Sequence, residues 1–300
     1  MMYPGLAALV LALVPGLACR DTSRADAAQI REVQKERQKQ FTERLAKADA
    51  NPAQPVEIAK WMMPAELKEI SGLALKPDGM LLTHDDTFAR IFVIDPRSGI
   101  VTKRFSFGDG LKGDFEGITM AGDDIYVIES KGKIYQFKEG ANGATVSHTV
   151  LDTNLGKECE FEGIVYEPDS AWLVMPCKEP AGKKADDKLH VYRWRLEGPD
   201  STRLTKVVYP HSLLTAGRGW QDFRTSDITI DPSTRNYVLI SARHNAIIEL
   251  TPAGQIVRAA KIPGEHNQPE GIAITKDNIL IVSDEANKKP AAITLYRWRP

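Results

Sequence analysis

The chain has 300 residues, with 39 Lys and Arg against 40 Asp and Glu, for a net charge of −1. No basic excess exists to neutralise phosphates, which excludes a protein that works by coating nucleic acid. Three cysteines exclude a disulfide scaffold, and 22 Gly with 18 Pro exclude collagen-like or low-complexity material.

Residues 5–18 (GLAALVLALVPGLA) are almost wholly apolar and then give way to Cys19-Arg20-Asp21. The run is short of the roughly 20 residues that span a bilayer. Its length fits the apolar core of a secretory signal, so residues 1–18 are expected to be a signal peptide. The stretch resembles a bacterial lipoprotein signal, in which Cys19 becomes the lipidated first residue. Plain cleavage and an uncleaved helix are the alternatives. The expected address is the periplasm, or the cell envelope with membrane contact through a lipid anchor.

Residues 19–55 read as a charged helical linker. From Ala25 to Ala48 the chain is rich in Ala, Gln, Glu, Lys and Arg, with a sparse apolar stripe at Ile30, Val33, Phe41 and Leu45. Asn51-Pro52 and Pro55 stop the helix. It is expected to be a solvated spacer or a partner-docking helix.

From Val56 the pattern changes to short strands and Gly/Asp/Pro turns, and one unit recurs five times. Its first strand reads Ile70-Ser71-Gly72-Leu73, Phe115-Glu116-Gly117-Ile118, Phe161-Glu162-Gly163-Ile164, Thr225-Ser226-Asp227-Ile228 and Pro269-Glu270-Gly271-Ile272. A turn, a second apolar run, and a third run of alternating character follow, as in Val191-Tyr192-Arg193-Trp194 and Leu295-Tyr296-Arg297-Trp298. Spacing of about 45 residues per four-stranded unit is that of a β-propeller blade. The third unit is longer, with insertions expected within 178–188 and 211–224. The last unit lacks a fourth strand, which the spare strand 56–62 can supply. The expected fold is therefore all-β: a five-bladed β-propeller of four-stranded antiparallel blades over residues 56–300, closed by its N-terminal strand. Six blades is the competing count.

In such a ring the start of strand one and the end of strand two of every blade share a face. Two sets of residues then converge at the hub. The first is Ser71, Glu116, Glu162, Ser226 and Glu270; the second is His84-Asp85-Asp86, Glu129, Lys178, Arg243 and Asp284-Glu285. Three glutamates around one axis repel: at about 6 Å and an effective dielectric of about 20, each pair costs on the order of 2.8 kcal/mol. A bound cation, raised pKa values, or Lys178 and Arg243 reaching inward would offset that. All-oxygen ligands favour Ca²⁺, which tolerates irregular geometry better than Mg²⁺. The expected metal ligands are Glu116, Glu162 and Glu270. Cys159 and Cys177 flank strands one and two of the same blade and are a candidate disulfide; two reduced core cysteines, with Cys177 facing the next blade, is the alternative.

Taken in order, Ile70-Ser71-Gly72-Leu73-Ala74, Asp114-Phe115-Glu116-Gly117-Ile118, Phe161-Glu162-Gly163-Ile164 and Gln268-Pro269-Glu270-Gly271-Ile272-Ala273 resemble the SdiA-regulated family of exported bacterial propellers. The resemblance spans residues 56–300. It implies a five-bladed propeller with a calcium site near the axis, distantly similar to NHL-repeat and phytase-like propellers, and no settled activity. Thr225-Ser226-Asp227 departs from it, with Asp where the other units have Gly.

Gly108-Asp109-Gly110-Leu111-Lys112-Gly113 matches a dinucleotide fingerprint but is followed by a strand rather than a helix, so it reads as a loop. Two functions remain: a calcium-binding propeller that presents a face to a small ligand or an envelope protein, and a metal-dependent phosphoesterase or lactonase at the same site. In the second, His84, Asp85 or Glu129 would be the base.

Overall fold

The computed structural model describes residues 22–50, 56–180, 187–216 and 220–298. The signal-like segment and Cys19 lie outside the described residues. Helix α1 (Thr22–Ala50) precedes strand β1 (Glu57–Met62). Blade 1 is β2 (Ile70–Leu75), β3 (Leu81–Asp85), β4 (Arg90–Asp95) and β5 (Ile100–Phe107). Blade 2 is β6 (Phe115–Ala121), β7 (Asp124–Glu129) and β8 (Lys133–Lys138); β9 (Thr145–Val146) then pairs in parallel with β5, and β10 (Thr149–Asp152) completes the blade.

Blade 3 begins with a broken strand, β11 (Cys159–Phe161) and β12 (Val165–Glu167), and continues through β13 (Trp172–Pro180), β14 (Lys188–Arg195) and β15 (Leu204–Pro210). Blade 4 is β16 (Asp227–Ile230), β17 (Tyr237–Ser241), β18 (Ala246–Leu250) and β19 (Ile256–Lys261). Blade 5 is β20 (Pro269–Ile274), β21 (Ile279–Asp284) and β22 (Ala292–Arg297), with β1 antiparallel to β22 as its outer strand. Five sheets, and the N-terminal strand closing the last of them, are what the repeat spacing predicts.

The strands form because β-branched and aromatic residues alternate over short runs and tight turns cut them. Asp95 and Asp231 each build one such turn: Asp95 accepts from the Arg97 N–H and the Ser98 hydroxyl, and Asp231 from the Ser233 N–H and hydroxyl. Blade faces are apolar on both sides, so the core is five apolar layers, one in each seam. Blades 1 and 2 meet over Ile91, Phe107, Phe115 and Tyr135; blades 4 and 5 meet over Ile240, Ile272 and Val282. Trp194 and Trp298, at equivalent places in the repeat, both pack against such layers; the buried Trp298 donates to Asp231 at 2.6 Å.

Helix α1 is neither free nor fully solvated. Phe41 and Ala48 are buried in the blade 5–blade 1 seam, and Gln34 and Gln38 donate to Asp95. Ile30 and Val33, in the N-terminal half, are exposed. The apolar stripe thus divides: its C-terminal part docks on the chain's own propeller, over the seam that β1 closes. Among the described residues no helix is long and apolar enough to cross a membrane.

Candidate functional site

The hub is built by glycine. A Cβ placed on Gly117 would lie 2.6 Å from the Cα of Gly163, and one on Gly72 would lie 2.9 Å from the Cα of Gly117. Each blade's backbone occupies the space where its neighbour's side chain would be, so only Gly allows the inner strands to approach this closely. Blade 4 is the exception. Asp227 stands in place of Gly, is fully buried, and spans the axis: its Oδ2 accepts the N–H of Ile272 at 2.8 Å and of Leu73 at 3.3 Å. Its Oδ1 faces Gly163 and has no hydrogen-bond partner among the described residues. Burial pushes its pKa well above the usual carboxylate range. The departure from the repeat is a plug that ties blades 1, 4 and 5 together from inside.

The residue before each Gly is set free of its ladder. Phe115 pairs with Glu129 and Gly117 with Ile128, so Glu116 is bulged out; Glu270 is skipped in the same way between Pro269 and Gly271, and Ser71 lies in the irregular step of β2. Bulges re-aim side chains. In blade 3 the strand breaks altogether at Glu162 and Gly163, where Gly163 takes φ +93°.

Glu116, Glu162 and Glu270 therefore do converge at one mouth of the hub, close enough to act on one another. Burial first, then Glu162, raises Glu116 to about 10. Burial raises Glu162 to about 8 against the opposing pull of Lys178. Burial also raises Glu270, with Gln268 and Ser226 beside it pulling the other way. Lys178 donates to Glu162 and sits 3.5 Å from Glu160; its own pKa is raised by the surrounding carboxylates despite burial. Glu116 accepts no hydrogen bond from the described residues. Arg243 does not reach the glutamates; it pairs with Asp222 at 3.1 Å, as does Arg224.

The three hub glutamates do not share a single coordination-sized volume. Among the described residues, the carboxylates whose oxygens lie within 4.8 Å of one another are Glu69, Asp85 and Asp86. Asp85 is tied down, accepting from the N–H groups of Thr87 and Phe88. Glu285 joins this region: burial, then Glu270, Asp86 and Glu69, raises it to about 7, and it accepts from Gln268. Asp284 is occupied elsewhere, holding His266 at 2.7 Å and the N–H groups of Asn267 and Gln268.

The candidate bases are separately engaged. His84 is closed off from solvent, and burial lowers it to about 4. Its neutral ring donates through Nδ1 to the Asp85 carbonyl at 3.2 Å, leaving Nε2 buried beside Gly72 with no partner among the described residues. Glu129 accepts the Tyr135 hydroxyl at 3.1 Å. Glu285, the carboxyl nearest neutrality at this mouth, has a sequence signal: it follows the second strand of blade 5, as Glu129 ends that of blade 2. Glu69 stands one place before the motif, where blades 2 and 3 carry Asp114 and Glu160, so the repeat did hold a signal for it; its partner Lys68 hides it among surface charges.

Cys159 and Cys177 are joined by a disulfide, Cα to Cα 5.7 Å, across β11 and β13. The bridge clamps the broken strand beside Glu160 and Glu162 to the strand that carries Lys178. Closing a loop of 18 residues stabilises a fold by about 3 kcal/mol. Reduction with a thiol under denaturant titration is expected to lower the unfolding free energy by about 2–4 kcal/mol.

With this geometry the chain is a five-bladed β-propeller whose hub mouth is acidic. The SdiA-regulated family model matches residues 217–297, which supports the family resemblance carried by the repeated motifs. No curated protein matches the chain. Solved structures share its fold. A glutaminyl cyclase from Myxococcus xanthus is 12% identical over 82% of this chain and 97% of that one, with a TM-score of 0.54. A luciferin-regenerating enzyme is 11% identical over 81% and 95%, at 0.51. The PQQ-bound aldose sugar dehydrogenase of Streptomyces coelicolor is 14% identical over 80% and 98%, at 0.50. Identities this low establish a common fold and nothing about shared chemistry.

Proposed function

We propose that the chain is an exported, envelope-anchored propeller that binds a calcium ion at the acidic mouth of its hub and presents that face to a small ligand or a protein partner. The observation that carries the reading is Glu116, a largely enclosed carboxyl with no hydrogen-bond donor among the described residues, facing two further glutamates from other blades. The donor chemistry suits the ion, and the three carboxyls must draw together to close on it. It is all oxygen, it comes from separate blades with irregular spacing, and Ca²⁺ accepts such sites. Three ionised glutamates and one Lys178 ammonium leave two negative charges, which one divalent cation balances. Glu116, Glu162 and Glu270 would hold the ion, with Lys178 able to pair with Glu160 instead. Bound there, the ion would supply the positive charge that lets the carboxyls ionise. The apolar run at 5–18 followed by Cys19 supports the address.

Glu285, near neutrality at the same mouth, favours a second reading: a metal-dependent phosphoesterase or lactonase with Glu285 as general base. Turnover of phosphomonoesters or lactones that depends on added Ca²⁺ and is lost in Glu285→Gln would select it.

Thermal unfolding in EDTA and then in excess Ca²⁺ tests the shared site. An ion at about 100 times its Kd adds about 2.7 kcal/mol. Glu116→Gln and Glu270→Gln should lose that gain, whereas Asp86→Asn should keep it. Loss only in Asp86→Asn would move the ion to Glu69, Asp85 and Asp86; no shift in the unaltered chain would overturn both readings.

A further inference from the structure

The strand-one to strand-two turns of all five blades converge at the end of the axis away from the glutamates. There they enclose a cavity of about 970 Å³. That is at the upper end of the roughly 300–1,000 Å³ of small-molecule pockets. One wall is α1, which contributes Phe41, Thr42 and Leu45. The apolar part of the propeller's lining comes from four blades, through Leu75, Met120, Tyr166 and Ile274. The charged residues of the lining are Lys76, Arg97 and Lys276 against Asp78 and Asp277. Lys76 is spent on Asp78 at 3.0 Å and Glu139 at 3.1 Å. Arg97 and Lys276 have no ion-pair partner among the described residues.

We propose that this cavity binds a free amphiphile with an apolar chain and a single anionic head, of the fatty-acid type. The chain would lie against Met120, Tyr166, Ile274 and the Phe41–Leu45 stretch of α1. The head would be met by Arg97 and Lys276. Against Asp277, the one carboxylate of the lining unpaired among the described residues, these two exposed cations leave a positive excess that favours an anionic head over a neutral or cationic one. The helix that docks on the closing seam thereby acquires a second role as the side wall of a ligand site. The site is separate from the acidic mouth and does not depend on calcium.

The test uses the full chain with 8-anilinonaphthalene-1-sulfonate, itself an apolar body with one anionic group, and dodecanoate and dodecanol as competitors. The probe should bind saturably at one per chain and be displaced by dodecanoate about tenfold more tightly than by dodecanol. Arg97→Glu with Lys276→Glu should weaken dodecanoate about tenfold and leave dodecanol unchanged. Met120→Trp and, on the helix side, Thr42→Trp should each intrude on the space and weaken binding at an unchanged unfolding midpoint. Binding should be the same in EDTA and in excess Ca²⁺. Absence of saturable binding, equal affinity for dodecanol, or full binding in both Trp variants would overturn the proposal. Co-sedimentation with phosphatidylglycerol vesicles in place of binding to the free amphiphile, weakened by Met120→Trp, would assign the cavity to a bilayer lipid and overturn it as well.

Discussion

In chelator, the protein is expected to lose stability as the pH is raised from about 5 to 9, and calcium is expected to restore most at the alkaline end. The sign follows from the hub carboxyls. Glu116 at about 10, Glu162 at about 8 and Glu285 at about 7 all stand above the value of an exposed glutamate. The folded chain therefore holds protons that the unfolded chain has released. Stability falls with pH wherever the native state binds more protons. The contribution is whole below about pH 4.5 and is withdrawn as pH climbs through the folded values. A bound divalent cation replaces those protons and removes the slope. Unfolding midpoints measured at pH 5, 7 and 9, with EDTA and with Ca²⁺, check this. Parallel pH profiles with and without the ion would contradict it. Glu116→Gln, neutral at every pH, should flatten the chelator profile.

Gly117→Ala is expected to be the most damaging small substitution in the hub. The added methyl would meet the Cα of Gly163 at 2.6 Å and the amide nitrogen of Ile164 at 2.7 Å. Both obstacles are backbone, so no side chain can swing aside. Forced overpacking costs about 1–3 kcal/mol in an ordinary core and more where the contact is rigid. The expected loss here is about 3 kcal/mol or more, read as a fall in denaturant midpoint at constant slope. Gly79→Ala is the control: it lies in a turn at φ +83°, with nothing within 4 Å of the added atom. It should cost only the strain of that backbone, about 1 kcal/mol.

The blade count was legible because five copies of one motif carry their own ruler, and the ring's closure followed from one missing and one spare strand. The convergence of Glu116, Glu162 and Glu270 was legible for the same reason: equivalent positions in a ring face one axis. Their separation was not, because it depends on how each strand breaks. β6 and β20 bulge at the glutamate, whereas blade 3 divides into two strands at Glu162. Lys178 was legible as one way to neutralise the hub, but its choice of Glu162 over Glu116 depends on the disulfide-clamped pairing of β11 with β13. Asp227 was visible only as a break in the pattern; that its carboxyl crosses the axis to two other blades is a tertiary fact. His84 was legible as a member of the hub set, but not that its ring would be sealed against Gly72 with burial holding it neutral. Helix α1 showed a stripe too sparse to name its partner, because half of it has none in the described fold.

The most direct measurement is calorimetric titration of Ca²⁺ into the chelator-stripped full chain at pH 7.5, in two buffers of different ionisation enthalpy. One ion per chain should bind, with release of at least one proton as Glu116 and Glu162 ionise around it. Glu116→Gln with Glu270→Gln should abolish that binding while the chain stays folded. A chain that takes up no calcium, or one in which the double variant binds it as before and releases the same protons, would contradict the account.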